Sequence, residues 1–123
     1  NDDFISLAPD AKTKDAIDRL IEAQMSEGYC IDTSKKFIGK FALTELLAAP
    51  RKAMLEKCLM TDPVLLNHAA SVLQAMEIAS NFVGETIPII NEETGVMIGV
   101  VSEANIFDAY LTTQSQVHDL EHN

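Results

Sequence analysis

Lysine and arginine are missing from the second half of this chain. All nine lie before Cys58, from Lys12 to Lys57, while the 19 acidic residues divide ten before that point and nine after it. The formal charge of −10 sets aside a phosphate-backbone partner, because DNA and RNA binding depends on clustered cations. The second half can meet an anion only with backbone N–H groups and helix dipoles, or with cations lent by the first half across an interface. Long apolar runs are also missing. None reaches the roughly 18 residues that a bilayer requires, and the opening Asn1-Asp2-Asp3 is acidic where a signal peptide is basic. The chain as given therefore reads as soluble and cytoplasmic, and the absence of an initiator Met reads as a piece cut from a longer protein.

Cysteine is scarce, and Cys30 and Cys58 form no CxxC pair and no metal-type cluster, which points to reduced thiols in a cytosolic setting. No Walker-type phosphate loop occurs, and Ser, Cys and His never fall into a nucleophile pattern. Glu92-Glu93 sits in a turn, where solvation explains it. His68 is isolated. His118 and His122, with Asp119 and Glu121, put two imidazoles at i and i+4, but in a polar C-terminal tail the expectation is a solvated pair and no metal. These absences exclude a catalytic set, and the expected class is not an enzyme.

What is present is an internal repeat. The chain has 123 residues, 47% of them hydrophobic, enough for one domain or for two small units sharing a core. A shift of 59 positions lays Ile5-Ser6-Leu7 on Val64-Leu65-Leu66, Ala16-Ile17 on Ala75-Met76, and Tyr29-Cys30-Ile31 on Pro88-Ile89-Ile90. One extra residue in the second copy's turn then brings Ile38-Gly39-Lys40-Phe41 onto Ile98-Gly99-Val100-Val101. Each copy predicts a short strand (4–7; 64–66) and a helix with Ala16, Ile17, Leu20, Ile21 and Met25, or Val72, Ala75, Met76 and Ala79, at helical spacing. A hairpin follows (28–31 with 37–41; 87–90 with 96–101), then a final helix (43–49; 103–111), the first stopped by Pro50. The linker 51–60 looks helical. The expected class is α/β (α+β): two β-α-β-β-α units, 3–49 and 61–111, joined by 50–60 and followed by a tail, 112–123. Neither thin sheet can bury both faces alone, so the copies should pack sheet to sheet about a pseudo-twofold axis.

In that order, Leu59-Met60-Thr61-Asp62-Pro63-Val64, Ile87-Pro88-Ile89-Ile90 and Gly99-Val100-Val101-Ser102-Glu103-Ala104-Asn105-Ile106 resemble the three motifs of the CBS domain family, whose modules occur as tandem pairs. The first copy departs from the pattern: Ala42 stands where the family has a hydroxyl, Glu45 where it has Asp or Asn, and Tyr29 where the strand has Pro. The residues themselves give a reason for the second copy's motif. Ser102 falls at an N-cap and Asn105 one turn in, beside helix N–H groups that can meet phosphate, while the amide can bind ribose hydroxyls. The same pair is also an ordinary helix cap.

The resemblance implies contacts from Ser102 and Asn105 to phosphate and ribose of an adenine nucleotide (AMP, ADP or ATP), with Thr61, Ile87 and Pro88 beside the base. No cofactor is required. The expected function is a regulatory ligand-sensing module that controls an attached transporter, channel or enzyme; the alternatives are a ligand-free dimerisation module or a divalent-cation sensor. Phe4-Ile5-Ser6-Leu7-Ala8-Pro9-Asp10 looks most like the cytosolic part of a ClC-type chloride channel. Leu46, Leu47, Ile106, Phe107 and Tyr110 are expected to form a homodimer face.

Overall fold

Two hairpins of apolar strands organise the chain. In the computed structural model, which describes residues 4–122 and side chains as far as Gln114, β1 (Ser6–Leu7), α1 (Thr13–Ala23), β2 (Glu27–Ile31), β3 (Phe37–Ala42) and α2 (Leu43–Leu47) form the first unit. The second comprises β4 (Leu66–Asn67), α3 (Val72–Ala79), β5 (Ile87–Ile90), β6 (Met97–Val101) and α4 (Glu103–His122). Each unit has a three-stranded sheet, ordered β1-β2-β3 or β4-β5-β6, whose first pair is parallel and second antiparallel.

The strand register reproduces the internal repeat residue by residue. Leu7 pairs with Cys30 as Leu66 pairs with Ile89, and Cys30 pairs with Gly39 as Ile89 pairs with Gly99. The bulge after Cys30 recurs after Ile89. The additional residue lies in the second turn. There Asn91 Oδ1 accepts from the Glu93 N–H, as Asp32 Oδ1 accepts from Ser34 and Lys36. Left-handed backbone closes both turns, at Lys35 (φ 65) and at Gly95 (φ 80).

Each sheet buries one face against its own helices. Ile5, Ala16, Ile17, Leu20, Cys30, Phe41, Leu46 and Leu55 form one cluster, and Leu66, Ala75, Ala79, Phe82, Ile87 and Ile106 the other. The opposite faces meet each other through Tyr29, Ile90, Met97 and Val100, with Phe4, Ile31 and Phe37 around them. At the turn end the units exchange backbone bonds, Phe37 N–H to Gly95 O and Met97 N–H to Lys35 O, both 2.9 Å.

Four expectations need correction. The first strand of each copy is a two-residue piece, β1 at 6–7 and β4 at 66–67. The linker 51–60 is irregular, made of turns and bends around a single 3-10 turn at Leu55–Lys57, because its backbone is committed to the first unit: Thr13 and Lys14 donate to Ala53 and Arg51, and Leu55 and Glu56 donate to Ala11 and Pro9. The last helix runs past Leu111 through the segment 112–122, which contains no Gly or Pro to stop it. Leu46 and Ile106 belong to the two helix-facing cores, leaving Leu47 and Phe107 exposed and Tyr110 half-buried.

Candidate functional site at the end of the repeat interface

β6 delivers Ser102 to the start of α4, and Ser102 and Asn105 cap that helix reciprocally. The Asn105 N–H donates to Ser102 Oγ and the Ser102 N–H to Asn105 Oδ1, both at 3.1 Å. α3 starts the same way. Ser71 and Gln74 exchange bonds of 3.1 and 2.8 Å there. In the first unit Ala42 holds the extended N-cap conformation of α2 with no side-chain cap.

Ile87 pairs with Val101 and Pro88 with Val100, so the strand Ile87-Pro88 runs beside the residues that lead into Ser102. Both are buried. Ile87 is packed into the helix-facing core, away from solvent. Thr61 is exposed and follows Met60, whose N–H donates to Lys40 O at 2.8 Å, so the described contacts tie this segment to β3. Asn105 also lines a cavity of about 180 Å³ between α3 and α4, with Leu66, Ala70, Ser71, Ala75 and Val101 among its walls. His118 and His122 have side chains outside the described residues. Among the described residues no group of three or more His, Cys, Asp or Glu side chains is placed to hold a metal ion, and no helix is long and apolar enough to cross a membrane.

The buried cation at this end of the interface is Lys40, 2% exposed. Its Nζ lies 3.1 Å from Glu27 Oε1 and donates to Thr86 O at 2.8 Å, with the Phe82 ring centroid at 4.9 Å. Glu27 Oε1 also accepts from the Glu85 and Thr86 N–H groups, at 2.9 and 3.4 Å. Glu85 answers from the other repeat, its Oε1 accepting from both the N–H (3.0 Å) and the hydroxyl of Ser26. The Tyr29 hydroxyl bonds the Thr86 hydroxyl. Burial, with the carboxylates of Glu27 and Glu85 adding to it and the Thr86 hydrogen bond opposing it, pushes the Tyr29 phenol up to about 12. Lys40 is thus the cation lent by the first half to the second, and it arrives already paired. The cavity left between Phe4, Met25, Glu27, Tyr29, Glu85 and Thr86 is only about 90 Å³.

Lys40, Glu27 and Glu85 were not among the residues picked from the sequence. A usable signal was present, because Lys40 interrupts the apolar run Phe37-Ile38-Gly39-Lys40-Phe41 at the position where the second copy has Val100.

The family model of the CBS domain matches residues 56–112. No curated protein matches the chain by sequence. Among solved structures, the chain is similar to the cystathionine β-synthase pair domain of a protein described as a Mg²⁺ transporter of Shewanella oneidensis MR-1. The TM-score is 0.84 at 16% identity, covering 93% of this chain and 68% of that one. A CBS domain pair/ACT domain protein of Thermotoga maritima gives 0.78 at 17% identity, with 92% and 93% covered. CbpB in complex with c-di-AMP gives 0.78 at 15%, with 95% and 83% covered.

Proposed function

Since residues 56–112 belong to the CBS domain family and the chain as a whole has the fold of a CBS pair, we propose that it is a regulatory module, not an enzyme, that binds an adenine nucleotide beside Ser102 and Asn105. The observation that carries this reading is the family's Gly-Val-Val-Ser-x-x-Asn segment standing intact at the β6–α4 junction, at the N-terminus of a helix. Similar folds are solved with AMP, c-di-AMP and ATP. Pro88 borders the base and Thr61 closes over it from the β3 side, while Ile87 supports the site from the core.

The cavity between Phe4, Tyr29, Glu85 and Thr86, about 90 Å³, and the one that Asn105 lines, about 180 Å³, are both too small for a nucleotide, since ligand pockets usually offer some 300 Å³ or more. Binding therefore requires the repeats to part at this end, which exchanges the contacts of Lys40, Glu27 and Glu85. A ligand that prefers the parted arrangement shifts the pair toward it, and that shift is what an attached protein can sense. The host this favours is an ion transporter, with the module on the cytoplasmic side; the soluble part of a magnesium transporter and the cytosolic domain of a Mg²⁺ channel share the fold. Leu47 and Phe107, 60% and 54% exposed, with Tyr110, are the residues offered to a second copy.

Two features favour a second reading, a ligand-free assembly module: the closed interface and the mutual satisfaction of Ser102 and Asn105. Calorimetric titration of the chain with AMP and with Mg²⁺ alone, run beside sedimentation, separates the possibilities. Saturable heat with AMP supports the nucleotide module. Heat with Mg²⁺ alone supports a cation sensor, and a dimer silent to both supports the assembly module.

A further inference from the structure

We propose that this site selects adenine derivatives of low negative charge, taking adenosine or AMP ahead of free ATP; the inference rests on the nucleotide reading above and sharpens it to a ligand class. Thr86 and Ser102 flank the Ile87–Val101 pair, the last of the β5–β6 ladder. Thr86 is in turn held by the Glu27 carboxylate and by Lys40 Nζ. Glu27, Glu85 and Glu103, the last in the first turn of α4, stand at this end, and Lys40 is the cation that the described ion pairs place among them.

Glu27 neutralises that cation at 3.1 Å. Lys35 and Lys36 lie at the turns, the far end of the interface. From Cys58 onward no Lys or Arg exists to replace them. The α4 N-terminus offers donors to one phosphate, but its dipole already faces the Glu103 carboxylate. A second and third phosphate thus enter a field of the same sign. At roughly 10 Å each added charge costs a factor of about 2 to 10 in affinity. Lys40 can turn toward a phosphate only by leaving Glu27 bare, so exchange of partners brings no net gain of positive charge.

The test is a set of titrations of the chain with adenosine, AMP and ATP in Mg²⁺-free buffer at low and high salt. Adenosine and AMP are expected to bind at least tenfold more tightly than ATP, and ATP to bind more tightly as salt rises, since salt screens a repulsion. Glu85→Gln keeps an acceptor for Ser26 and should narrow the gap between ATP and adenosine. The wild-type salt series carries the test if that variant melts early. ATP binding tighter than adenosine, or ATP binding that weakens with salt, overturns the selection while leaving the nucleotide reading in place. Silence from all three ligands overturns both.

Discussion

Lys40 shows how one side chain can hold two repeats in register. Its ammonium is out of water and its head is shared between Glu27 in its own sheet and Thr86 O in the other. Removing one partner of such a pair leaves a charge without compensation. Lys40→Met should therefore cost about 3 kcal/mol, whereas Lys40→Met with Glu27→Gln should cost less than the single change. Urea denaturation of wild type and the two variants measures this, and a double variant less stable than Lys40→Met would remove Lys40 from its role. Tyr29, beside it, titrates only at about 12, and burial likewise pushes the Cys30 thiol up to about 11, with Glu56 and Asp10 adding to the effect. Both groups hold their protons more tightly folded than unfolded. The stability they provide is full below about pH 9 and is lost as pH climbs through 9 to 12. Denaturation midpoints across that range should fall, and Tyr29→Phe should flatten the upper part of the fall.

Among the elements, the helix starts differ in a way that can be measured. α3 and α4 have serine caps closed by reciprocal bonds, while α2 starts at Ala42 with φ −124 and ψ 140, the extended geometry of an N-cap without its side chain. Ala42→Ser should stabilise the chain by about 1 kcal/mol, and Ser71→Ala should destabilise it by a similar amount. Thermal melts decide both. The hairpins and helices were legible in the sequence because apolar periodicity survives in both copies, and the one-residue insertion was legible because Gly39 and Gly99 mark the same strand position. The two-residue first strands and the irregular linker were not, since backbone bonds to distant partners fix them and no side-chain pattern records those. At the site, Ser102 and Asn105 stood out by motif. Glu27 and Glu85 did not, because an acidic residue at a strand end normally faces water, and only the docking of the second sheet buries Glu27.

At the scale of the whole molecule, two similar units have divided their tasks. The first supplies the basic residues, the interface cation and Tyr29; the second keeps the serine-asparagine motif and Pro88. Parting the units to admit a ligand breaks the cross-repeat bonds at Glu27, Glu85 and Lys40 but need not break those at the turn end, so the motion expected is a hinge about the Lys36–Val96 bridge. Amide hydrogen exchange with and without AMP should show changes at Glu27, Glu85 and Thr86 and little at Phe37 and Met97. Uniform change along both hairpins would count against a hinge.

The claim that α4's start is a ligand site, beyond being a helix cap, is tested most directly by titrating AMP into wild type, Ser71→Ala and Ser102→Ala. Both variants lose the same kind of serine cap, so they should melt alike, each weaker by about 1 kcal/mol. Ser71→Ala should bind AMP as wild type does, and Ser102→Ala should lose about tenfold or more in affinity. Equal affinities for the two variants would contradict the site at Ser102 and leave that serine a helix cap alone.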